Sequence, residues 1–190
     1  MVRAKYTDKG TVVQILAESF PDNQSVNYIL RQGPKKKQQV QSLMAYSFDM
    51  CMKFGKVFIS DDRMSCALIM LPKHKKTTIK TILMDLKLIF LCTGVANVKK
   101  VLAREKAINA MQGVKEMYYV WFIGVAPKNQ NKGIGSRLLA EIIKDAETLG
   151  LDIYLETSTV ENLPWYKKAG FSEYESIDLS YTLHFLRLCW

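Results

Sequence analysis

The chain has 190 residues, 48% of them hydrophobic, and a mean hydropathy near zero, which suits one globular domain with enough apolar material for a core. No stretch reads as a transmembrane span: the most apolar one, residues 79–92, is interrupted by Lys80, Asp85 and Lys87. The net charge of +9 is uneven, with 20 Lys and Arg against 8 Asp and Glu in residues 1–115, and 7 against 10 in residues 116–190.

The opening MVRAKYTDKG lacks the apolar core and small-residue cleavage site of a signal peptide, and a cytoplasmic protein is the expectation. Four widely spaced cysteines, Cys51, Cys66, Cys92 and Cys189, sit in apolar surroundings with no zinc pattern. They read as buried free thiols, and no metal site is expected. Lys35–Lys37 and Lys73–Lys76 form basic runs without interleaved aromatics, so nucleic acid is not an expected partner, and neither is a membrane.

In chain order, Thr11–Phe20 predicts a short helix closed by Pro21, and the spacing of Val40, Leu43, Met44, Ser47, Cys51 and Phe54 a longer one ending at Gly55. Lys56–Ser60 and Ser65–Leu71 read as strands joined by a polar turn at Asp61–Arg63, with Pro72 ending the second. Ile79, Ile82, Leu83, Leu86, Ile89 and Phe90 fall on one helical face that Gly94 interrupts. Val95, Val98, Leu102 and Ile108 then suggest a further helix finishing near Gly113. Met117–Ala126 is aromatic and β-branched, as a buried strand should be. Gly133–Leu149 is an amphipathic helix closed by Gly150, Asp152–Glu156 a short strand, Glu161–Ala169 a short helix, and strand character returns from Phe171. This order predicts an α/β chain with a central sheet flanked by helices.

The sharpest local feature is Gln130–Ser136 (QNKGIGS), between a strand and a helix. Gly133 and Gly135 remove side chains from the path of a ligand, and the helix that starts there directs unpaired N–H groups and its positive dipole end at the same space. That is a place for a phosphate or pyrophosphate, although a plain structural turn also accounts for the glycines. A dinucleotide fingerprint or a P-loop fits less well, because neither GxGxxG nor Gly-Lys-Ser/Thr is complete.

Val125-Ala126-Pro127 followed by Gln-x-x-Gly-x-Gly at Gln130–Gly135 resembles motif A of the GCN5-related N-acetyltransferase (GNAT) superfamily. Tyr154–Thr157 and Asn162–Phe171 (NLPWYKKAGF) resemble its motif B, in the right order. The resemblance covers about Tyr118–Tyr174. The two helices between Leu71 and Met117 resemble an insertion found in some members. The resemblance implies a single acetyltransferase domain over residues 1–190, with a helical insertion at about 76–113 and a cofactor-binding core at about 117–175. It implies a mixed, mostly antiparallel sheet with a V-shaped splay between two central strands.

It further implies acetyl-CoA or coenzyme A in that splay. The arm would run along Ile123, Gly124 and Val125, and the pyrophosphate would lie on Gln130, Asn131, Lys132, Gly133, Ile134, Gly135 and Ser136, with Asn162 and Lys168 contributing. Tyr166 falls on the motif's Tyr, the expected general acid. Histone-type members carry a Glu upstream of the motif Val; the matching position here is Tyr119, and Glu156, at the end of the neighbouring strand, is the candidate base or substrate anchor. Glu116 lies nearby, while His74 and His184 have no motif to recommend them. The implied reaction is direct attack of a primary amine on the thioester, most simply a small-molecule amine, by a monomer or homodimer. Two other readings remain: an acetyl-CoA sensor without turnover, and an enzyme acting on a protein or peptide.

Overall fold

The computed structural model describes residues 1–113 and 116–190. Seven strands form one sheet: β1 (Val2–Arg3), β2 (Gly55–Ile59), β3 (Ser65–Met70), β4 (Tyr118–Val125), β5 (Ile153–Thr157), β6 (Ser172–Asp178) and β7 (Thr182–Leu188), in the order β1-β2-β3-β4-β5-β7-β6. Every neighbouring pair is antiparallel except β4 and β5. The predicted strands are thus found, each within a residue or two of its expected bounds. The two-residue β1 and the final pairing of β6 with β7 complete the edges.

The sheet has two covered faces. On one lie α1 (Lys9–Ser19), α2 (Gln24–Ile29) and α3 (Lys36–Phe54), where Leu16, Leu43, Met44 and Phe48 meet Val57, Cys66 and Leu68. On the other lie α6 (Ile134–Thr148) and α7 (Leu163–Lys168), where Leu138, Leu139, Ile142 and Tyr166 meet Ala67, Ile69, Val120 and Leu155. All six residues of β3 are buried, which is why SCALIM is a continuous apolar run rather than an alternating one. In α6 the buried positions 138, 139, 142 and 146 recur at helical spacing. Each of its large apolar side chains contributes about 1.5–3 kcal/mol by leaving water. Lys56 and the Tyr118 hydroxyl both reach Asp145 on that helix (2.6 and 2.7 Å), which fixes its rotation against the sheet.

Between β3 and β4 the chain makes a helical excursion. It comprises α4 (Ile79–Leu88), a π-helical turn at Ile89–Thr93, and α5 (Val98–Gln112), with a bend of 103° at Gly94. Thr78 caps α4 by accepting from the Thr81 N–H, and left-handed Gly113 closes α5. Periodicity identified the α4 face correctly, but that face points outward: Ile79 is 80% exposed, Leu83 60% and Phe90 66%. The side that packs on the core carries Thr81, Met84 and Leu88 instead. Of the cysteines, Cys51, Cys66 and Cys92 are buried free thiols as expected; Cys189 is exposed, because its strand ends one residue earlier.

The feature that positions a site is the failure of β4 and β5 to stay together. They pair over two registers alone, Tyr118 with Ile153 and Tyr119 with Tyr154. Beyond that point β4 follows β3 and β5 follows β7, and a V-shaped slot opens between them. A bulge supplies the cause. Against β3, Leu68 opposes Phe122 and Ile69 opposes Val120, so Trp121 is an extra residue in β4. A bulged strand bends and twists more strongly, here just where the two strands part.

Candidate active site

The slot joins the two faces of the sheet, and different chemistry waits on each. Its β4 wall is set by strand alternation. The Ala126 N–H donates to the Met64 carbonyl (2.8 Å), toward β3, so the backbone groups of Ile123 and Val125 face the slot. The Val125 carbonyl is already engaged, accepting from Ser19 Oγ (2.9 Å) and Gln130 Nε2 (3.1 Å). Its N–H and the groups of Ile123 are what the strand offers. Gly124 faces the other way, and α1 lies so close that a Cβ there would stand 2.9 Å from Leu16 Cδ2. Its lack of a side chain therefore serves helix packing.

At the mouth on the α6 side, Asn131 (φ 61°) and Gly133 (φ 76°) both adopt left-handed backbone, which turns the chain sharply into the helix. Gly133 occupies the N-cap without a side-chain acceptor. Arg137 is the first residue of α6 whose N–H bonds back, to the Gly133 carbonyl at 3.1 Å, which leaves the N–H groups of Ile134, Gly135 and Ser136 directed outward. A Cβ on Gly135 would lie 3.5 Å from Val125 and 3.6 Å from Trp165, so the glycine keeps open a narrow gap between β4 and α7. The Trp165 indole N–H bridges that gap to Ser136 Oγ (2.9 Å). Lys132 folds back and donates to the Lys128 carbonyl (2.8 Å), bracing the turn, whereas Lys168 is exposed at the end of α7. Asn162 stands at the N-cap of α7, yet its exposed side chain makes no cap bond and is left for other use.

Tyr166 is buried (5% exposed) between Trp165 and Phe171, with ring centroids 4.6 and 5.7 Å away. Burial pushes its phenol well above the ordinary range, so it holds its proton at neutral pH.

On the opposite face, Glu156 accepts from the Tyr119 hydroxyl on Oε2 and from Gln112 Nε2 on Oε1, both at 2.5 Å. Burial raises the carboxyl above its usual range, and the two hydrogen bonds and the Arg104 charge pull it partly back. Arg104, on α5, spends its donors on the Tyr181 hydroxyl (3.1 Å), Ser25 Oγ (2.6 Å) and Glu105 (2.7 Å). Residues from α5 and β4 thus bond the carboxylate directly, and Arg104, tied to α2 and the β6–β7 turn, adds its charge nearby. The sequence singles out Glu156 and sets Tyr119 where the resemblance would place a Glu, but no local pattern joins the two or announces Gln112, Arg104, Ser25 and Tyr181. Glu116 instead pairs with Lys73, and His184 Nδ1 lies 2.6 Å from Glu173 on the neighbouring strand.

A family model described as an acetyltransferase (GNAT) domain matches residues 91–173. That segment is less than half of the chain and runs from within the helical excursion through β4, α6, β5 and α7. An uncharacterized N-acetyltransferase, C550.08 of Schizosaccharomyces pombe, is 38% identical over 63 residues, which are 33% of this chain and only 26% of that relative. Likeness in fold extends over the whole chain. A structure titled histone acetyltransferase HPA2 and related acetyltransferase from Corynebacterium glutamicum superposes with a TM-score of 0.69 at 16% identity, over 100% of this chain and 95% of that one. The C-terminal condensation domain of Ebony, in complex with β-alanyl-dopamine, gives 0.70 at 8% identity over 98% and 96% of the two chains. The mosquito arylalkylamine N-acetyltransferase like 5b gives 0.55 at 13% over 97% and 96%. The segments that resemble GNAT motifs A and B are β4, the turn into α6, β5 and α7.

Proposed function

We propose that this chain is a GNAT domain, an acetyl-CoA-dependent N-acetyltransferase acting on a primary amine of small-molecule size. One observation carries the reading. The slot that opens where β4 and β5 part has the buried Tyr166 phenol in the core on its α6–α7 face and the Glu156 carboxylate, held by Tyr119, on the opposite face. A thiol ester entering from one side and an amine from the other would meet within it.

The residues present fit coenzyme A. The outward N–H groups of 134–136 and the left-handed turn at Asn131 and Gly133 suit a pyrophosphate, and the slot-facing backbone of Ile123 and Val125 suits an amide-bearing arm. Asn162 and Lys168 lie on α7, at the same side. Bound acetyl-CoA would supply an acetyl group activated as a thioester. Glu156, held by Tyr119 and Gln112, takes the proton from the substrate ammonium, directly or through a water. Its raised pKa makes it a stronger base than an exposed carboxylate. The amine nitrogen would form its bond to the acetyl carbon as the carbon–sulfur bond breaks; the Tyr166 hydroxyl would give its proton to the departing sulfur, and the nitrogen's surplus proton would pass by way of water to the phenolate so formed. The N–H groups of Ile123 and Val125, on the slot side of β4, would stabilise the negative charge that develops on the carbonyl oxygen. The acceptor class draws support from two similar folds whose names concern small amines, the arylalkylamine enzyme and the β-alanyl-dopamine complex.

Calorimetric titration with acetyl-CoA and coenzyme A, followed by thiol release across a panel of amines, tests the reading. Binding with amine-dependent thiol release is expected. Binding without release for any amine would make the chain a sensor, and no binding would remove coenzyme A altogether.

A further inference from the structure

Net charge and exposed apolar surface coincide in one place. Residues 72–112 carry nine Lys and Arg against two acidic residues, Asp85 and Glu105, so this excursion holds +7 of the chain's +9. Its outer face also carries the four most exposed large hydrophobic side chains among the described residues, Ile79 at 80%, Val95 at 71%, Phe90 at 66% and Leu102 at 63%, with Leu83 at 60%. On α4 these form a stripe. Ile79, Leu83, Leu86 and Phe90 succeed one another at intervals of three and four residues, directly opposite Thr81, Met84 and Leu88, which pack inward. Lys80 and Lys87 line one margin of the stripe and Lys75 and Lys76 precede it; none of the four makes an ion pair with another described residue.

The face is held in this orientation. The Arg31 N–H donates to the Cys92 carbonyl (2.8 Å) and its guanidinium to the Phe90 carbonyl (3.0 Å), fastening the end of α4 to the α2–α3 connection. Exposed apolar side chains on an anchored helix require a covering that the described chain does not provide.

We propose that α4 and its elbow into α5 rest on an anionic lipid surface, lying in the interface without crossing it. Charge decides against a second copy of this chain, because a two-fold contact would bring +7 against +7. An acidic protein would need a groove shaped to this outward-facing stripe. A fluid interface asks only for an outward-facing apolar stripe with lysines along its margin, whose stems lie along the apolar surface while their ammonium groups reach the lipid phosphates. No single helix here is long and apolar enough to cross a membrane, and the 103° bend lets both arms of the elbow lie near one plane.

The test is co-sedimentation of the full chain with vesicles of phosphatidylcholine alone and with about one-third phosphatidylglycerol. The wild type should pellet with the anionic vesicles, lose binding at high salt, and ignore the neutral ones. A Leu83→Glu/Phe90→Glu variant, altered only at exposed positions, should lose about tenfold or more of that binding. Its circular dichroism and acetyl-CoA affinity should stay unchanged. The proposal is overturned if the wild type pellets with neither vesicle, if the variant pellets as well as the wild type, or if the same substitutions instead dissociate a dimer in solution.

Discussion

The hydroxyl of Tyr119 donates a 2.5 Å hydrogen bond to Oε2 of Glu156, across the last point at which β4 and β5 run side by side. A hydrogen bond to the ionised form of a carboxyl lowers its pKa, so under the proposed mechanism Tyr119 would position Glu156 and tune it as a base.

Tyr119→Phe should therefore move the acidic limb of kcat/KM to higher pH. Loss of one charge-assisted hydrogen bond, about 1.5–3 kcal/mol, corresponds to roughly one pH unit or more. A limb that stays in place while activity falls would reduce Tyr119 to a packing role.

Glu156→Gln should lower kcat/KM by about a hundredfold while leaving acetyl-CoA affinity intact, as measured by thiol release and calorimetry. The same change has a stability signature. The folded-state carboxyl titrates above its unfolded value, so the native state binds more protons between the two pKa values. Wild-type stability then falls as pH rises from about 4.5 through the raised pKa. The variant lacks this slope, and denaturant melts at several pH values would reveal it.

Tyr166→Phe should lower kcat by about a hundredfold with little change in acetyl-CoA affinity, because the ring keeps its place against Trp165 and Phe171. An unchanged kcat removes the phenol from the reaction.

Gly124→Ala separates packing from binding. Its new methyl would press on Leu16 and Ser19 from the α1 side, and a loss of about 1–3 kcal/mol in thermal stability is expected. Acetyl-CoA affinity should be nearly unaffected, since the slot lies along the backbone groups of the adjacent residues. A selective loss of affinity would return Gly124 to the binding surface.

Much of the fold was legible because it is written locally. The α6 stripe at 138, 139, 142 and 146, the apolar run of β3, and the glycine turn at 130–135 each announce themselves within a short window. What escaped notice depends on distant partners. Glu156 meets Gln112 and Tyr119, 44 and 37 residues away, and no local pattern encodes that meeting. The α4 stripe shows the other limit: periodicity says which residues share a face but not where the face points. Short elements such as β1 and α2 have too few residues for any period to register.

The extra residue at Trp121 has a bearing on which changes of chain length this protein can absorb. Strand register is a matter of parity: remove one residue between Val120 and Phe122 and the bulge disappears, β4 straightens, and it regains the freedom to run on beside β5. Such a deletion would leave a well-formed sheet with no gap in it. The long excursion from Leu71 to Tyr118 can be shortened or lengthened without touching that parity, so natural length variation belongs there and not in the three residues around the tryptophan.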